Sequence, residues 1–402
     1  MKYVVLVGDG MGDYPIAELG GKTPLEAAST PHMDWIADNG ELGLVSTIPP
    51  GCETGSDTAN LSLLGYDPKR TLTRRGPLEA ASLGVRLSET DVAFRCNLVT
   101  LAKQNGILSM DDYSAGHIVT DEAREIVEDL DRALGDETFR FYPGMSYRHL
   151  MVWRDGVAQV ATTPPHDITG QPVGPYLDRM RSQGALLQLM DGARAILNDH
   201  PINRKRIKEG LKPANHIWFW GQGCAPHLEA FETRTGLKGA IISAVDLLRG
   251  IGVYAGFKII MVPGATGYFD TDYEAKGAYA LSALKDVDLV YVHVEAPDEA
   301  GHAGMLDKKI STIEAFDAMV VGKVLEGIKG FGEYRVMAVT DHYTPITLRT
   351  HTTEPVPFAI SGTGISASAN NTGGFSEKNA GARGVFFADG HSLMERLIRS
   401  SK

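Results

Sequence analysis

The sequence predicts an α/β protein: a mostly parallel sheet flanked by helices, with a smaller α+β domain inserted into it. Three observations carry this. Short apolar, β-branched runs that close on Gly, Asp or His recur at both ends of the chain, as in "KYVVLVGDG" and "DLVYVHVEAPDEAGH". Buried parallel strands enter functional loops in this way. The middle third instead alternates apolar and polar residues, as strands of antiparallel or mixed sheets do. Finally, 402 residues exceed one ordinary domain.

Taken in order, "KYVVLVGDGMGD" is the first buried strand. In "TPLEAASTPHMDWIADNG", Thr23 or Thr30 caps a helix, Pro24 and Pro31 suit first-turn positions, and Gly40 suits the stop. "GLVSTIPP" is a strand leading to "GCETGSDTANLSLLG", where Gly-Ser-Asp-Thr precedes an apolar-periodic helix. "DVAFRCNLVTL" and "YRHLMVWRDGVAQVATT" are strands of the inserted domain, and "TDEAREIVEDLDRAL" is an amphipathic helix between them. "GALLQLMDGARAILNDH" is a second helix, followed by "PINRKRIKEGLKPAN" as a polar, basic connection. Strand-helix alternation then returns in "HIWFWGQG", "FKIIMVPGATG", "DLVYVHVEAPDEAGH", "YRVMAVTDHYTP" and "PVPFAISG". The expected layout is a discontinuous core of residues 1–66 and 213–402, with residues 67–212 inserted.

A formal net charge of −11 argues against a general nucleic-acid binder, because phosphate backbones reward basic surfaces. It leaves room for a small anionic substrate met by a few local cations. Cys52, Cys96 and Cys224 are far apart and form no C-x-x-C pair, which fits a reduced compartment. The N-terminal run is too short for a secretory leader, and no stretch reaches the roughly 18 apolar residues of a membrane span. The expectation is a cytoplasmic protein with no nucleic-acid or membrane partner.

In such a sheet, function collects beyond the carboxyl ends of the strands. Those ends supply Asp9, the Ser56-Asp57 loop, Asp298 with His302, Asp341 with His342, and His351. Asp and His together match borderline divalent ions such as Mn²⁺ or Zn²⁺. Asp298-x-x-x-His302 puts both side chains on one face if a helical turn follows the strand. Asp341 and His342 are adjacent and point apart unless a loop bends them. Two ions beside Ser56 would clamp phosphoryl oxygens and activate its hydroxyl. A serine at a helix N-terminus also faces N–H groups that favour an anion. These residues point to metal-assisted phosphoryl, or sulfuryl, transfer through a covalent serine.

The same stretches resemble the alkaline-phosphatase superfamily, specifically the cofactor-independent phosphoglycerate mutases of archaeal type. "VVLVGDGMGD", "GSDTANLSLLGYDP", "RRGPLEAASLG", "GMSYRHLMVW", "PPHDITG", "VEAPDEAGHAG" and "TDHYTPI" carry the likeness across nearly the whole chain. The resemblance implies an alkaline-phosphatase-like core and interconversion of 2- and 3-phosphoglycerate without 2,3-bisphosphoglycerate. It implies two divalent ions, Mn²⁺ foremost with Zn²⁺, Mg²⁺ or Co²⁺ as alternatives. Asp9, Ser56, Asp341 and His342 would hold one ion, with Ser56 the phosphoryl acceptor. Asp298, His302 and His351 would hold the other. The inserted domain would bind the rest of the substrate: Arg75, Arg95 and Arg148 gripping a carboxylate or phosphate, and His166-Asp167 acting as a hydroxyl-directed base, with Asp167 the catalytic member. Lys276 or Lys258 would neutralise phosphoryl charge near the ions.

The chain departs from the family pattern at Thr54 and Tyr343, which removes no ligand. "DYSAGHI" departs from the Arg-rich archaeal version and is similar to a bacterial branch also labelled as proposed homoserine kinases. Phosphorylation of homoserine or another small alcohol is therefore the rival reading. Plain hydrolysis is a further one, although "GSDTAN" lacks the C/S-x-P-x-R pattern of sulfatases. A non-catalytic binding protein on a retired fold should have lost ligands, and here all seven positions are filled.

Overall fold

A computed structural model describes residues 1–71, 74–367 and 373–399. In chain order its strands are β1 (Lys2–Gly8), β2 (Gly40–Val45), β3 (Val92–Gln104), β4 (Ile107–Asp112), β5 (Phe139–Met145), β6 (Arg148–Trp153), β7 (His216–Gly223), β8 (Gly239–Ile242), β9 (Lys258–Ile259), β10 (Leu289–Val294), β11 (Tyr334–Thr340), β12 (Val356–Gly362) and β13 (Phe386–Phe387). Backbone contacts divide the chain into a core unit, Met1–Leu72 with His227–Lys402, and an inserted unit, Thr73–Pro226.

The core unit is built on an eight-stranded sheet in the order β13-β2-β12-β11-β1-β10-β8-β9. Only the β11–β12 and β12–β2 pairs are antiparallel, so the sheet is mostly parallel. β1, β10 and β11 lie side by side at its centre and are buried almost end to end. That explains their unbroken Val-rich runs: a strand covered on both faces needs no polar alternation. Of the helices in this unit, Ala296–Ala303 and Leu306–Ala315 matter most for the site, because they follow β10 directly.

Local signals were resolved in ways the sequence only partly announces. Thr23 caps its helix in a full capping box with Glu26. Thr30 makes no side-chain cap. The buried Asp317 carboxylate takes its place, accepting from the His32 and Met33 N–H groups at 3.2 and 2.7 Å. Gly40 opens β2 rather than ending a helix, and a Cβ there would meet the Ile360 carbonyl oxygen at 2.1 Å. "FKIIMVPGATG" contributes only the two-residue β9.

The inserted unit is an antiparallel sheet, β4-β3-β6-β5, with β7 also paired to β3. This corrects the expected border between residues 212 and 213. "HIWFWGQG" forms β7 and pairs antiparallel with β3 from Ala93↔Gly223 to Val99↔His216, so it belongs to the inserted unit rather than to the parallel sheet. A short apolar run looks the same in either setting. At the other border the units divide at Leu72 and Thr73, not after residue 66. The Tyr66 hydroxyl donates to the Glu229 carbonyl at 2.7 Å, which keeps that turn in the core unit. The expected basic connection is also ordered: Pro201–Lys208 is a helix. Its Arg206 is buried, pairing with Glu122 at 2.7 Å and donating to the Ala115 carbonyl.

Candidate functional site

Register decides which side chains meet in the core unit. β1 pairs in parallel with both neighbours, and Val7 lies opposite His293 of β10 and Val339 of β11. Side chains two residues apart share a face. Asp9 and Asp341 therefore follow Val7 and Val339 on the face that carries His293, just past the ends of adjacent strands. Tyr291 also lies on that face, and its hydroxyl donates to Asn60 Oδ1, whose amide in turn donates to Asp341 Oδ2 at 2.8 Å.

Ser56 opens the Ser56–Leu63 helix, half-buried, and its Oγ lies 3.1 Å from His342 Nε2. The same nitrogen is 3.3 Å from Asp9 Oδ1 and 3.6 Å from Asp341 Oδ2. The adjacent pair Asp341-His342 converges because the chain bends there, with the His342 N–H donating to Asp341 Oδ1. Asp298 and His302 lie one turn apart on the Ala296–Ala303 helix, with Nε2 3.3 Å from Oδ2. His351 Nε2 is 3.4 Å from Asp298 Oδ1 and 2.9 Å from His302 Nε2. The structure thus brings Asp9, Ser56, Asp341 and His342 together, and likewise Asp298, His302 and His351. The His342 ring lies tilted against the His351 ring, with centroids 4.1 Å apart, and so stands between the two groups.

The outer nitrogens and oxygens are held in place. His302 Nδ1 bonds the Arg349 carbonyl at 3.0 Å, and His342 Nδ1 meets Thr344 Oγ1 at 3.2 Å. Each contact leaves Nε2 turned inward, the usual way a second layer fixes a ligand's tautomer. Arg349 holds this carbonyl from a left-handed backbone, φ 57°, a strained geometry that functional sites tolerate. Thr344 Oγ1 also donates to Asp298 Oδ1. Behind it, the fully buried Lys309 directs its ammonium to the Gly12 and Thr344 carbonyls and to Asp13 Oδ2, at 3.0, 2.8 and 2.8 Å. One ammonium so fastens the loop after β1 to the loop after β11.

Burial dominates the electrostatics. It raises the Asp9 pKa well above the usual carboxylate value, helped by the charges of Asp341, Asp298 and Glu295. Burial also pushes Glu295 up to about 8 and His293 down to about 4. Asp298 goes the other way: against its burial, hydrogen bonds from His302 and His351 hold it well below the ordinary range. In return Asp298 pushes His302 up to about 9.

These residues fit divalent cations. Both Asp9 oxygens are closed to solvent and have no aligned hydrogen-bond donor. Buried carboxylates are otherwise almost always satisfied. His302 and His351 point two ring nitrogens at one carboxylate. A mixed Asp/His donor set suits Mn²⁺, Zn²⁺ or Co²⁺ better than the oxygen-only shell Mg²⁺ prefers.

The inserted unit gathers a second set. Arg95 is buried, with Nε 2.9 Å from Glu79 Oε1 and its guanidinium 4.0 Å above the Trp220 ring. A register shift between β3 and β7 falls at Ala93/Arg95 and re-aims this side chain. Burial lowers the Arg95 pKa, Glu79 opposes this, and the neighbouring charges of Arg75 and Arg148 reinforce it. Arg75 and Arg148 are exposed. His166 stacks edge-on against Trp220 and Tyr113, with ring centroids at 5.4 and 6.1 Å, and lies 3.5 Å from Asp167 Oδ1. Tyr113, His117 and Tyr147 pack edge-to-face on one another. Arg75, Arg95, Arg148, His166 and Asp167 therefore share one basic, aromatic neighbourhood.

The two lysines named from the sequence sit apart. Lys258 lies on the edge strand β9, exposed and 3.5 Å from Asp286, so that expectation needs correction. Lys276 is fully buried and donates to the His293 carbonyl at 3.1 Å, which brings its charge beside the Asp/His cluster. Its burial lowers its pKa to about 8. Sequence reasoning missed His293, Thr344, Lys309 and the aromatic wall of Tyr113, Tyr147 and Trp220. The available signal for His293 was one imidazole inside "VYVHV", on the same face as Tyr291.

The chain is similar to known proteins along its length. Residues 37–203 match the family model of 2,3-bisphosphoglycerate-independent phosphoglycerate mutase. A probable 2,3-bisphosphoglycerate-independent phosphoglycerate mutase of Geobacter sulfurreducens is 53% identical over 398 residues, covering 99% of this chain and 100% of that protein. A 2,3-bisphosphoglycerate-independent phosphoglycerate mutase of Methanothrix thermoacetophila is 51% identical, covering 99% and 100%. The PH0037 protein of Pyrococcus horikoshii has a structure similar to this one, with TM-score 0.85, 31% identity, and 100% and 98% of the two chains covered. On sequence similarity along its full length, the chain belongs to the 2,3-bisphosphoglycerate-independent phosphoglycerate mutase family.

Proposed function

We propose that this chain interconverts 2-phosphoglycerate and 3-phosphoglycerate through a phosphoserine on Ser56, without 2,3-bisphosphoglycerate. The observation that carries the reading is the Ser56 hydroxyl at a helix N-terminus, 3.1 Å from His342 Nε2, which itself lies 3.3 Å from Asp9. Two divalent ions, Mn²⁺ foremost, would be held by Asp9, Ser56, Asp341 and His342 and by Asp298, His302 and His351. When bound they supply Lewis-acid charge that favours the serine alkoxide and offsets charge on the phosphoryl oxygens.

Ser56 Oγ attacks phosphorus, an Oγ–P bond forms, and the bond from phosphorus to the glycerate oxygen breaks. The freed glycerate oxygen takes a proton from the His166-Asp167 pair, which leaves the imidazole neutral for the return half. In the return half, the other glycerate hydroxyl gives its proton to the His166-Asp167 pair and attacks phosphorus, releasing Ser56. Burial and the nearby Arg95 and Arg75 charges, partly offset by Asp167, lower the His166 pKa and favour the neutral, proton-accepting imidazole. Arg75 and Arg148 grip the carboxylate, and Arg95, anchored by Glu79 and Trp220, orients them. The small anionic substrate accounts for such local cations in a chain of net charge −11. A cytoplasmic setting is part of this reading; among the described residues no helix is long and apolar enough to cross a membrane.

The test is incubation of the Mn²⁺-loaded protein with 3-phosphoglycerate, followed by phosphorus NMR. Appearance of 2-phosphoglycerate at equilibrium ratio is expected. Release of inorganic phosphate alone would make it a hydrolase. Inertness toward phosphoglycerate, with transfer to homoserine instead, would favour the reading suggested by "DYSAGHI".

A further inference from the structure

We propose that His293 is a metal ligand, its Nε2 joining Asp9 and Asp341 around a divalent cation. The inference rests on the reading of the strand ends as a metal centre, but adds a residue that the seven-ligand set omits. The ligand atoms of Asp9, His293 and Asp341 all lie within 4.8 Å of one another. All three side chains are buried, at 1%, 0% and 0% exposure. The register that aligns β10, β1 and β11 puts them on one face of the sheet.

Two observations separate a ligand from an ordinary core histidine. A core histidine is satisfied by hydrogen bonds. Neither ring nitrogen of His293 has a hydrogen-bond partner, although Nε2 stands 3.0 Å from Asp9 Oδ2. Asp9 Oδ2 and Oδ1 are likewise without aligned donors. Second, the two Asp9 oxygens face different nitrogens: Oδ1 faces His342, on the Ser56 side, and Oδ2 faces His293. Among the described residues, no Lys or Arg forms an ion pair with Asp9 or Asp341, and the charged partners beside them are imidazoles. The nearest buried ammonium, Lys276, is spent on the His293 carbonyl. A divalent cation reached by Asp9 Oδ2, Asp341 and His293 Nε2 answers two of these unmet atoms, Asp9 Oδ2 and His293 Nε2, and a nitrogen among its donors selects Mn²⁺, Zn²⁺ or Co²⁺ over Mg²⁺.

Anomalous diffraction from crystals of the wild-type protein soaked in Mn²⁺ reads this directly. A peak at bonding distance from His293 Nε2, about 2.0–2.3 Å, is expected. Peaks that leave His293 Nε2 bare overturn the proposal while leaving the two-ion reading intact, and no peak beside Asp298 or Ser56 sinks both. In solution, His293→Asn should weaken binding of one Mn²⁺ by at least about tenfold, and unchanged affinity counts against ligation. His293→Cys tells a ligand from a merely orienting residue. With Cd²⁺ it should gain a thiolate-to-metal charge-transfer band absent from the wild type. Cd²⁺ binding without that extra band shows that residue 293 lies beside the ion but does not hold it.

Discussion

The Asp/His centre of the core unit and the Arg/aromatic cluster of the inserted unit both gather charge, by opposite means. In the core unit Asp9, Asp341 and His342 are closed to solvent and positioned by strand ends, with Thr344 and Lys309 packed behind them. In the cluster of the inserted unit Arg75 and Arg148 are exposed, and Arg95 is anchored by a buried contact. A sealed polar site is expensive to assemble and intolerant of change, because every group left without its partner costs the full desolvation penalty. An open site tolerates substitution, and its residues act chiefly by what they bind. Substitutions of the sealed residues in the first should therefore damage structure, metal binding and chemistry together. Those in the second should damage binding alone.

The largest effect expected is at Ser56. Ser56→Ala removes the proposed phosphoryl acceptor, and kcat should fall by at least about 10⁴-fold. The thermal midpoint should stay near the wild-type value, since Ser56 is half-buried and its Oγ makes one side-chain contact. Residual turnover within about tenfold of wild type would remove Ser56 from the chemistry.

Next comes Lys309→Met, which tests the sealing itself. It leaves the buried Asp13 carboxylate without its ammonium, and urea unfolding should show a loss of about 3–5 kcal/mol. Because Lys309 joins the loops that carry Asp9 and Asp341-His342, Mn²⁺ affinity should fall as well. A loss below about 1 kcal/mol, which is what an exposed pair gives, would mean the brace is ornamental.

Arg148→Ala sharpens the contrast from the other side. Removing one charge-assisted grip on a carboxylate should lower kcat/KM by about 10- to 100-fold. Stability should not change measurably, since Arg148 is exposed and its guanidinium stacks only loosely, 5.5 Å above the Tyr147 ring. If the thermal midpoint falls with activity, the cluster is structural and the comparison between the two regions fails.

The same contrast explains what could be read from the chain before folding. The Asp/His cluster was legible because its residue types are rare at strand ends and because Asp298-x-x-x-His302 has the spacing of one helical turn. His293 was not, since a single histidine inside an apolar strand looks like packing until register sets it beside Asp9. Lys309 was hidden for a different reason. In "LDKKISTIEA" it is one of two adjacent lysines on a helix, and only tertiary structure shows that Lys309 is buried and Lys308 exposed. β7 was assigned to the wrong sheet because pairing partners lie far away in sequence, and an apolar run does not name them. In the inserted unit arginines and tyrosines are common surface residues, so their convergence around Trp220 depends on the register shift between β3 and β7, which no local motif announces.

The smallest expected effect lies at the edge of the sealed network, at Glu377. Its carboxylate is buried and accepts from the Asp13 N–H at 3.3 Å and the Thr23 hydroxyl at 2.8 Å. Burial raises its pKa from 4.5 to about 7, against the pull of those donors. The sign follows from which state holds the proton. Between pH 4.5 and 7 the folded chain keeps a proton that the unfolded chain has released, so this residue's contribution to stability declines as pH rises through that window. Glu377→Gln carries no such charge and keeps an oxygen for one of the two donors. The variant should match the wild type near about pH 5 and exceed it by up to about 2 kcal/mol at about pH 8. Parallel denaturation curves at the two pH values are the measurement. A difference that does not change with pH would mean that the Lys309 ammonium and the Asp13 N–H already compensate the Glu377 charge, and that the sealed region extends one residue further than its hydrogen bonds suggest.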